Sequence, residues 1–174
     1  MNSIKTFTSL VIILLITTLG VKAQEQERVH EQIFKAEYKI ATNKNEDPEI
    51  RKIASFKVDA ISYLKSKTLA ELTQNSKQLT SKQIDHINKQ LDTMAYNMHE
   101  FVELFRAVYN KMDGAGAKEN IIYLFRKASL QNPLYKDTDT NLIHAYSDRN
   151  DYITQFSLDT NWVKALKQIK ERLK

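Results

Sequence analysis

Apolar residues recur along this chain at intervals of three and four, and almost nowhere at intervals of two. That period lines one face of an α-helix and does not suit a strand. The longest unbroken run is Ile84, Ile87, Leu91, Met94, Met98, Phe101, Phe105, Val108 and Met112. It predicts one helix over about 80–112, roughly 50 Å long at 1.5 Å per residue. Thr80 and Gln83 have the spacing of a capping box at its start, and Asp113-Gly114 reads as a glycine stop at its end. Beside the run, Gln83, Asn88, Gln90 and Asn97 are polar without charge, whereas Val102, Leu104 and Tyr109 are apolar. The second half is therefore expected to be covered on more than one side. That favours packing within one chain over a coiled coil between chains, which would need charged flanks.

Shorter runs predict the other elements. Val29, Ile33, Ala36 and Ile40 make the inward stripe of a first helix over about 25–41. Asp47 is placed as an N-cap and Pro48 as the first residue of a second helix. Its inward face carries Ile50, Ile53, Ala54, Ile61 and Leu64, widened by Phe56, Ala60 and Tyr63. It runs to about Lys67, with any continuation fraying near Asn75-Ser76. A helix over about 118–130 turns Ile121, Leu124, Phe125 and Ala128 inward, and Asn132-Pro133 ends it. A short helix starts at Asp139 or Thr140 and reaches Tyr146, and Phe156-Ser157-Leu158 reads as extended. The last helix is expected to be capped by Asp159, stapled by Leu158 and Val163, and buried along Trp162, Leu166, Ile169 and Leu173. The fold class is all-α: a helical bundle of about four to six helices built around one long helix.

The first residues change the setting. Lys5 precedes an uncharged apolar stretch from Leu10 to Leu19, and Val21-Lys22-Ala23 puts small side chains at the two positions a signal peptidase reads. Residues 1–23 are expected to be a cleavable signal, leaving 24–174 as a single helical domain, exported to the periplasm or the extracellular medium. The apolar stretch is shorter than the roughly 20 residues of a spanning helix, so no transmembrane segment is expected in the mature chain. The chain has no cysteine, so neither disulfides nor a lipid anchor built on a thiol can hold it. Its stability must come from a packed core.

Removing Lys5 and Lys22 takes the 26 basic residues to 24, against 21 acidic ones. So small and dispersed an excess does not suit a nucleic-acid partner. Lys164, Lys167, Lys170, Arg172 and Lys174 gather at the C-terminus, where cations complement a helix dipole.

Candidate chemistry is sparse. Asp92, Tyr96, His99, Glu103, Arg106 and Asn110 repeat at four and three along the back of the long helix. An acid, a phenol, an imidazole and a guanidinium in line could serve acid–base chemistry or an anion, but the plainer expectation is a solvated face with His99–Glu103 and Glu103–Arg106 pairs. Asp137-Thr-Asp139-Thr-Asn141 begins like a calcium loop, yet Leu142 stands where the turn needs glycine and Asp148 where the loop needs glutamate. Met94 and Met98 beside His99 could offer soft ligands to copper, but they lie on the apolar run, where methionine ordinarily fills core space. His30, His86, His99 and His144 have no zinc spacing, and Gly114-Ala-Gly116 follows no strand. No catalytic residue, metal ligand or cofactor is therefore expected. The segment 132–162 is the least regular, and Asp137, Asp139, Tyr146, Asp148, Asp151 and Trp162 are the residues in it that could line a ligand pocket facing the long helix.

The Ala23-Gln24 junction, the segment Ile53-Ala-Ser-Phe-Lys-Val-Asp59 and the segment Gln155-Phe-Ser-Leu-Asp-Thr-Asn-Trp162 resemble stretches of small exported helical proteins of Gram-negative anaerobes that have no established activity. The resemblance implies a periplasmic or secreted setting and transfers no functional residue. Together these readings point to a non-enzymatic protein that binds a protein partner in the cell envelope or supports envelope structure, with its oligomeric state left open. The alternative is a small-ligand or catalytic pocket between the long helix and segment 132–162.

Overall fold

The long helix begins as the capping box requires: Gln83 donates its backbone N–H to the Thr80 hydroxyl while its side chain accepts the Thr80 N–H at 2.9 Å. Around it, a computed structural model describes residues 27–75 and 79–174; the leader read at 1–23 and the fray expected past Asn75 lie outside them. Among the described residues there are six helices and no strand. They are α1 (Val29–Thr42), α2 (Pro48–Asn75), α3 (Ser81–Tyr109), α4 (Ala115–Leu130), α5 (Thr140–Ile143) and α6 (Trp162–Arg172). The chain is all-α, and none of these helices is long and apolar enough to cross a membrane.

Helix α3 is the hub. Helices α1 and α2 pack on it and on each other, and α6 packs against both α3 and α4. Its apolar run is fully buried only in the middle, at Met98, Phe101 and Phe105, whereas Ile84 at its start is 46% exposed. Val102 is also fully buried, so this part of the helix is covered on more than one side. The centre of the molecule is an aromatic cluster. Phe156 stands edge-on to Phe56, Phe101 and Phe105 at ring distances of 5.5, 5.2 and 5.2 Å, and Trp162 meets Phe56 and Phe101 at 5.9 and 5.5 Å. Such edge-to-face pairs add about 0.5–1.5 kcal/mol each beyond the area they bury.

Four local expectations are corrected. Helix α3 stops at Tyr109, and Gly114, with φ of +83°, serves as the N-cap of α4 and not as the stop of α3. The short helix after Asp139 is a single turn, Thr140–Ile143, capped by the Asp139 carboxylate on the Leu142 N–H at 3.1 Å. Asn161 caps α6, because Asp159 is engaged elsewhere, and Val163 lies 39% exposed where a staple would bury it. In α1 the buried side chains are His30 and Glu37, while Val29 and Ala36 face water. Helix α1 lies over α2 and over the polar back of α3, and His30 and Glu37 answer the latter.

Between Thr154 and Thr160 the chain is neither helix nor strand, yet nearly every residue is buried. Irregular backbone can be buried only if its polar groups find partners. Here Ser129 Oγ accepts the Ser157 N–H (2.9 Å), the Ile143 carbonyl accepts the Leu158 N–H (3.0 Å), and the Asn132 carbonyl accepts the Asn161 N–H (2.7 Å). Thr160 donates its hydroxyl to the Ser157 carbonyl at 2.7 Å. These bonds let Phe156 and Leu158 enter the core from a loop.

Candidate functional site

Lys57 lies on the inward face of α2, four residues from Ile53 and from Ile61, and is only 2% exposed. A buried ammonium needs anionic partners, and α1 and α3 each supply one. Lys57 Nζ donates to Glu37 Oε1 and to Glu103 Oε1, both at 2.7 Å. His99 Nδ1 stands 3.4 Å from Lys57 Nζ and 3.5 Å from Glu37 Oε1. Arg106 Nη1 bonds both oxygens of Glu103, at 3.3 and 3.2 Å. Burial works to raise the Glu37 carboxyl, but hydrogen bonds from His99 and Lys57 outweigh it and hold the group below the usual carboxylate range. Glu103 is lowered in the same way, by Lys57 and Arg106 against burial. Two carboxylates, one ammonium and one guanidinium thus close into a charge-balanced chain across three helices.

One end of the same stripe anchors α1. Arg28, the N-cap, offers no side-chain bond to the helix start. Asp92 of α3 takes that role: one of its oxygens accepts both the His30 backbone N–H (2.9 Å) and a bond with His30 Nδ1 (2.7 Å). A carboxylate there also meets the positive end of the helix dipole. Of the polar stripe read from the sequence, the structure brings Asp92, His99, Glu103 and Arg106 into contact with other groups under or beside α1. Tyr96 is 53% exposed. The stripe is therefore partly covered, at Asp92, His99, Glu103 and Arg106, and open at Tyr96 and Asn110; the expected Glu103–Arg106 pair forms, whereas His99 pairs toward Glu37 and not Glu103.

The second set of residues is scattered. Asp137, its side chain 7% exposed, accepts from the Tyr63 hydroxyl at 3.1 Å, from Lys67 and from the Asp139 N–H. Lys67 chiefly, with the Asp139 N–H, holds its carboxyl low. Tyr146 donates to Asp59 at 2.6 Å, and burial followed by Asp59 raises its phenol. Asp148 accepts from Ser147 at 3.1 Å, and Arg149 grips both oxygens of Asp151 at 3.0 and 2.8 Å. Trp162 is fully buried in the aromatic cluster. These six side chains do not converge on one cavity, and each has a place in the fold. No group of three metal-ligating side chains occurs among the described residues.

Asp159 organises this region. Its Oδ1 accepts the N–H of Leu134 (3.1 Å) and Tyr135 (2.8 Å), and its Oδ2 that of Asp137 (3.0 Å). The loop after Pro133 is thereby pinned, and Leu134 and Tyr135 are set against α2 and α3. They form the wall of a groove of about 480 Å³, whose floor includes Leu64, Leu91 and Met94 and whose rim includes His86 and Lys89. A second groove of about 500 Å³ shares Thr68 and Leu91 with the first and is lined by Phe34, Leu69, Ile87 and Lys65.

No family model, curated protein or solved structure matches the chain. Its function must therefore be inferred from its own geometry. The residues that organise that geometry most, His30, Glu37, Lys57 and Asp159, are not among the sites expected from the sequence. Three of them carry a signal there nonetheless. Lys57 falls on the apolar face of α2, and His30 and Glu37 stand seven apart beside Ile33 and Ile40, so a charge at a core position marks a buried partner.

Proposed function

We propose that the protein is an exported binding protein that takes up a partner protein along the outer half of the α2–α3 hairpin. One observation carries this reading: two grooves with apolar linings flank Leu91 and Thr68. Each is in the range of about 300–1,000 Å³ that ligand sites occupy. Their margins bear Lys65, His86 and Lys89 against Glu71. An amphipathic helix with an apolar stripe and an acidic flank suits that surface, since such helices seat apolar anchors at i, i+3 and i+4 and use charge to set orientation. The export signal read at residues 1–23 puts the encounter in the periplasm or outside the cell. A catalytic pocket is less well supported, because the acids of segment 132–162 are bonded into the fold.

A photo-crosslinking residue at Gln90, beside the first groove, tests the proposal in the producing cell. The expected result is one protein adduct, joined through an acidic helical segment, that the same residue at Lys170 on α6 does not give. Equal labelling from both positions, or none from Gln90, overturns it.

A further inference from the structure

The grooves of the α2–α3 hairpin leave unexplained a polar cleft on the other side of the bundle. Glu119, Ile122, Tyr123 and Arg126 follow one another at helical spacing along one face of α4, and with Asn150 and Gln155 from the irregular segment they line a cleft of about 370 Å³. Ile122 is the one aliphatic side chain in that lining. Tyr123 is 61% exposed, with the Lys127 ammonium 5.7 Å from its ring centroid.

Most polar groups of this cleft are turned to solvent: Glu119, Tyr123 and Asn150 are exposed and Gln155 is half-buried. Among the described residues, the Glu119 carboxylate, the Tyr123 hydroxyl and the side-chain amides of Asn150 and Gln155 have no hydrogen-bond partner in the protein. The Arg126 Nε is buried and has no acceptor, and its Nη2 reaches Asp148 only at 3.8 Å. The Arg126 side chain as a whole is 37% exposed, so its guanidinium can be reached from the cleft it lines. The acids of segment 132–162 contrast with these groups, since each is already engaged.

The mix of groups selects the ligand. Arg126 and the two amides donate, Glu119 and the amide carbonyls accept, and the exposed ring of Tyr123 offers a flat apolar surface among them. The lining carries one charge of each sign, Arg126 and Glu119. A phosphate or carboxylate ligand would meet Glu119, and an apolar ligand would strand the polar lining. Groups that both donate and accept, fixed around a ring with an apolar C–H face, satisfy all of it. From this geometry we infer that the α4 cleft binds a neutral saccharide, one pyranose ring lying on Tyr123 with its hydroxyls toward Arg126, Glu119, Asn150 and Gln155. This site is independent of the hairpin grooves.

An array of immobilised neutral oligosaccharides, printed beside acidic ones of equal length, tests the assignment with the whole mature chain. Neutral glycans are expected to retain the protein, with the same glycan in solution competing. Tyr123→Ala weakens retention at least tenfold, and so does Asn150→Ala combined with Gln155→Ala. Tyr38→Ala, at another tyrosine more than half exposed, leaves it unchanged. Melting temperatures confirm that the variants fold. Retention by acidic glycans alone, retention that survives Tyr123→Ala, or no retention of any neutral glycan overturns the inference.

Discussion

His30 presents its backbone N–H and its ring Nδ1 to the same oxygen of Asp92, at 2.9 and 2.7 Å. One carboxylate thus acts as the missing N-cap of α1 and as the partner of a buried imidazole. Asp92→Ala is expected to cost about 1–2 kcal/mol for the lost cap, with a further penalty for the His30 ring left without an acceptor. Hydrogen exchange checks the location: amides in the first turns of α1 exchange faster, while those of α4 and α6 do not change. Uniform acceleration across the chain would contradict the assignment.

Lys57 makes a sharper case. Lys57→Met leaves Glu37 buried without its ammonium, and breaking a buried pair in this way costs about 3–5 kcal/mol. Replacing both, as Glu37→Leu with Lys57→Met, removes the stranded charge and is expected to recover most of that loss, because Glu103 keeps Arg106. Denaturant unfolding of the two single variants and the double variant gives the coupling directly. Additive losses would show that the pair is not coupled.

Asp159 holds three backbone N–H groups with two oxygens. Asp159→Asn keeps an acceptor for Leu134 and Tyr135 and loses the one for Asp137, whereas Asp159→Ala loses all three. At about 1 kcal/mol or more for each stranded donor, alanine is expected to destabilise the protein at least twice as much as asparagine. Thermal unfolding of both variants measures the ratio.

The pH dependence arises from the same groups. Glu37, Glu103 and Asp137 have folded values below their ordinary ones, so the folded state binds fewer protons there than the unfolded chain. Their contribution is complete above the unfolded carboxylate values, near about 4, and is lost as the pH falls through the depressed values. At the alkaline end, burial raises the phenols of Tyr63 and Tyr146, helped by Asp159 and Asp137 in the first case and by Asp59 in the second. The folded state then holds protons that the unfolded chain releases, and stability falls as the pH passes about 10. A plot of melting temperature against pH is expected to drop at both ends, and Lys57→Met flattens its acid arm.

The helices could be read from the sequence because each apolar run has only one period that buries it. The run from Ile84 to Met112 and the Thr80–Gln83 box placed α3, and Asp47-Pro48 placed the start of α2, with Asp47 Oδ1 accepting from Glu49 at 2.8 Å. What could not be read was which surface each helix meets. Val29 and Ala36 look like a core stripe until α3 offers its polar back, after which His30 and Glu37 turn inward. Asp159 looks like a helix cap by position, three residues before Trp162, and only the fold shows the loop amides that claim it. The α4 cleft was hidden for the same reason. Asn150 and Gln155 have no periodicity, and nothing local tells an idle amide from a bonded one.

The seating of α1 also orders the making of the molecule. The α3 groups it meets, Asp92 and His99, each come 62 residues after their partners, His30 and Glu37. It contributes no fully buried apolar side chain of its own. Helix α1 can pack on α2 as soon as α2 is made, with Glu37 on Lys57, but the bonds that fix its start wait for α3. In a refolding experiment pulsed with deuterium, the amides of its first turn are expected to gain protection only together with those of α3.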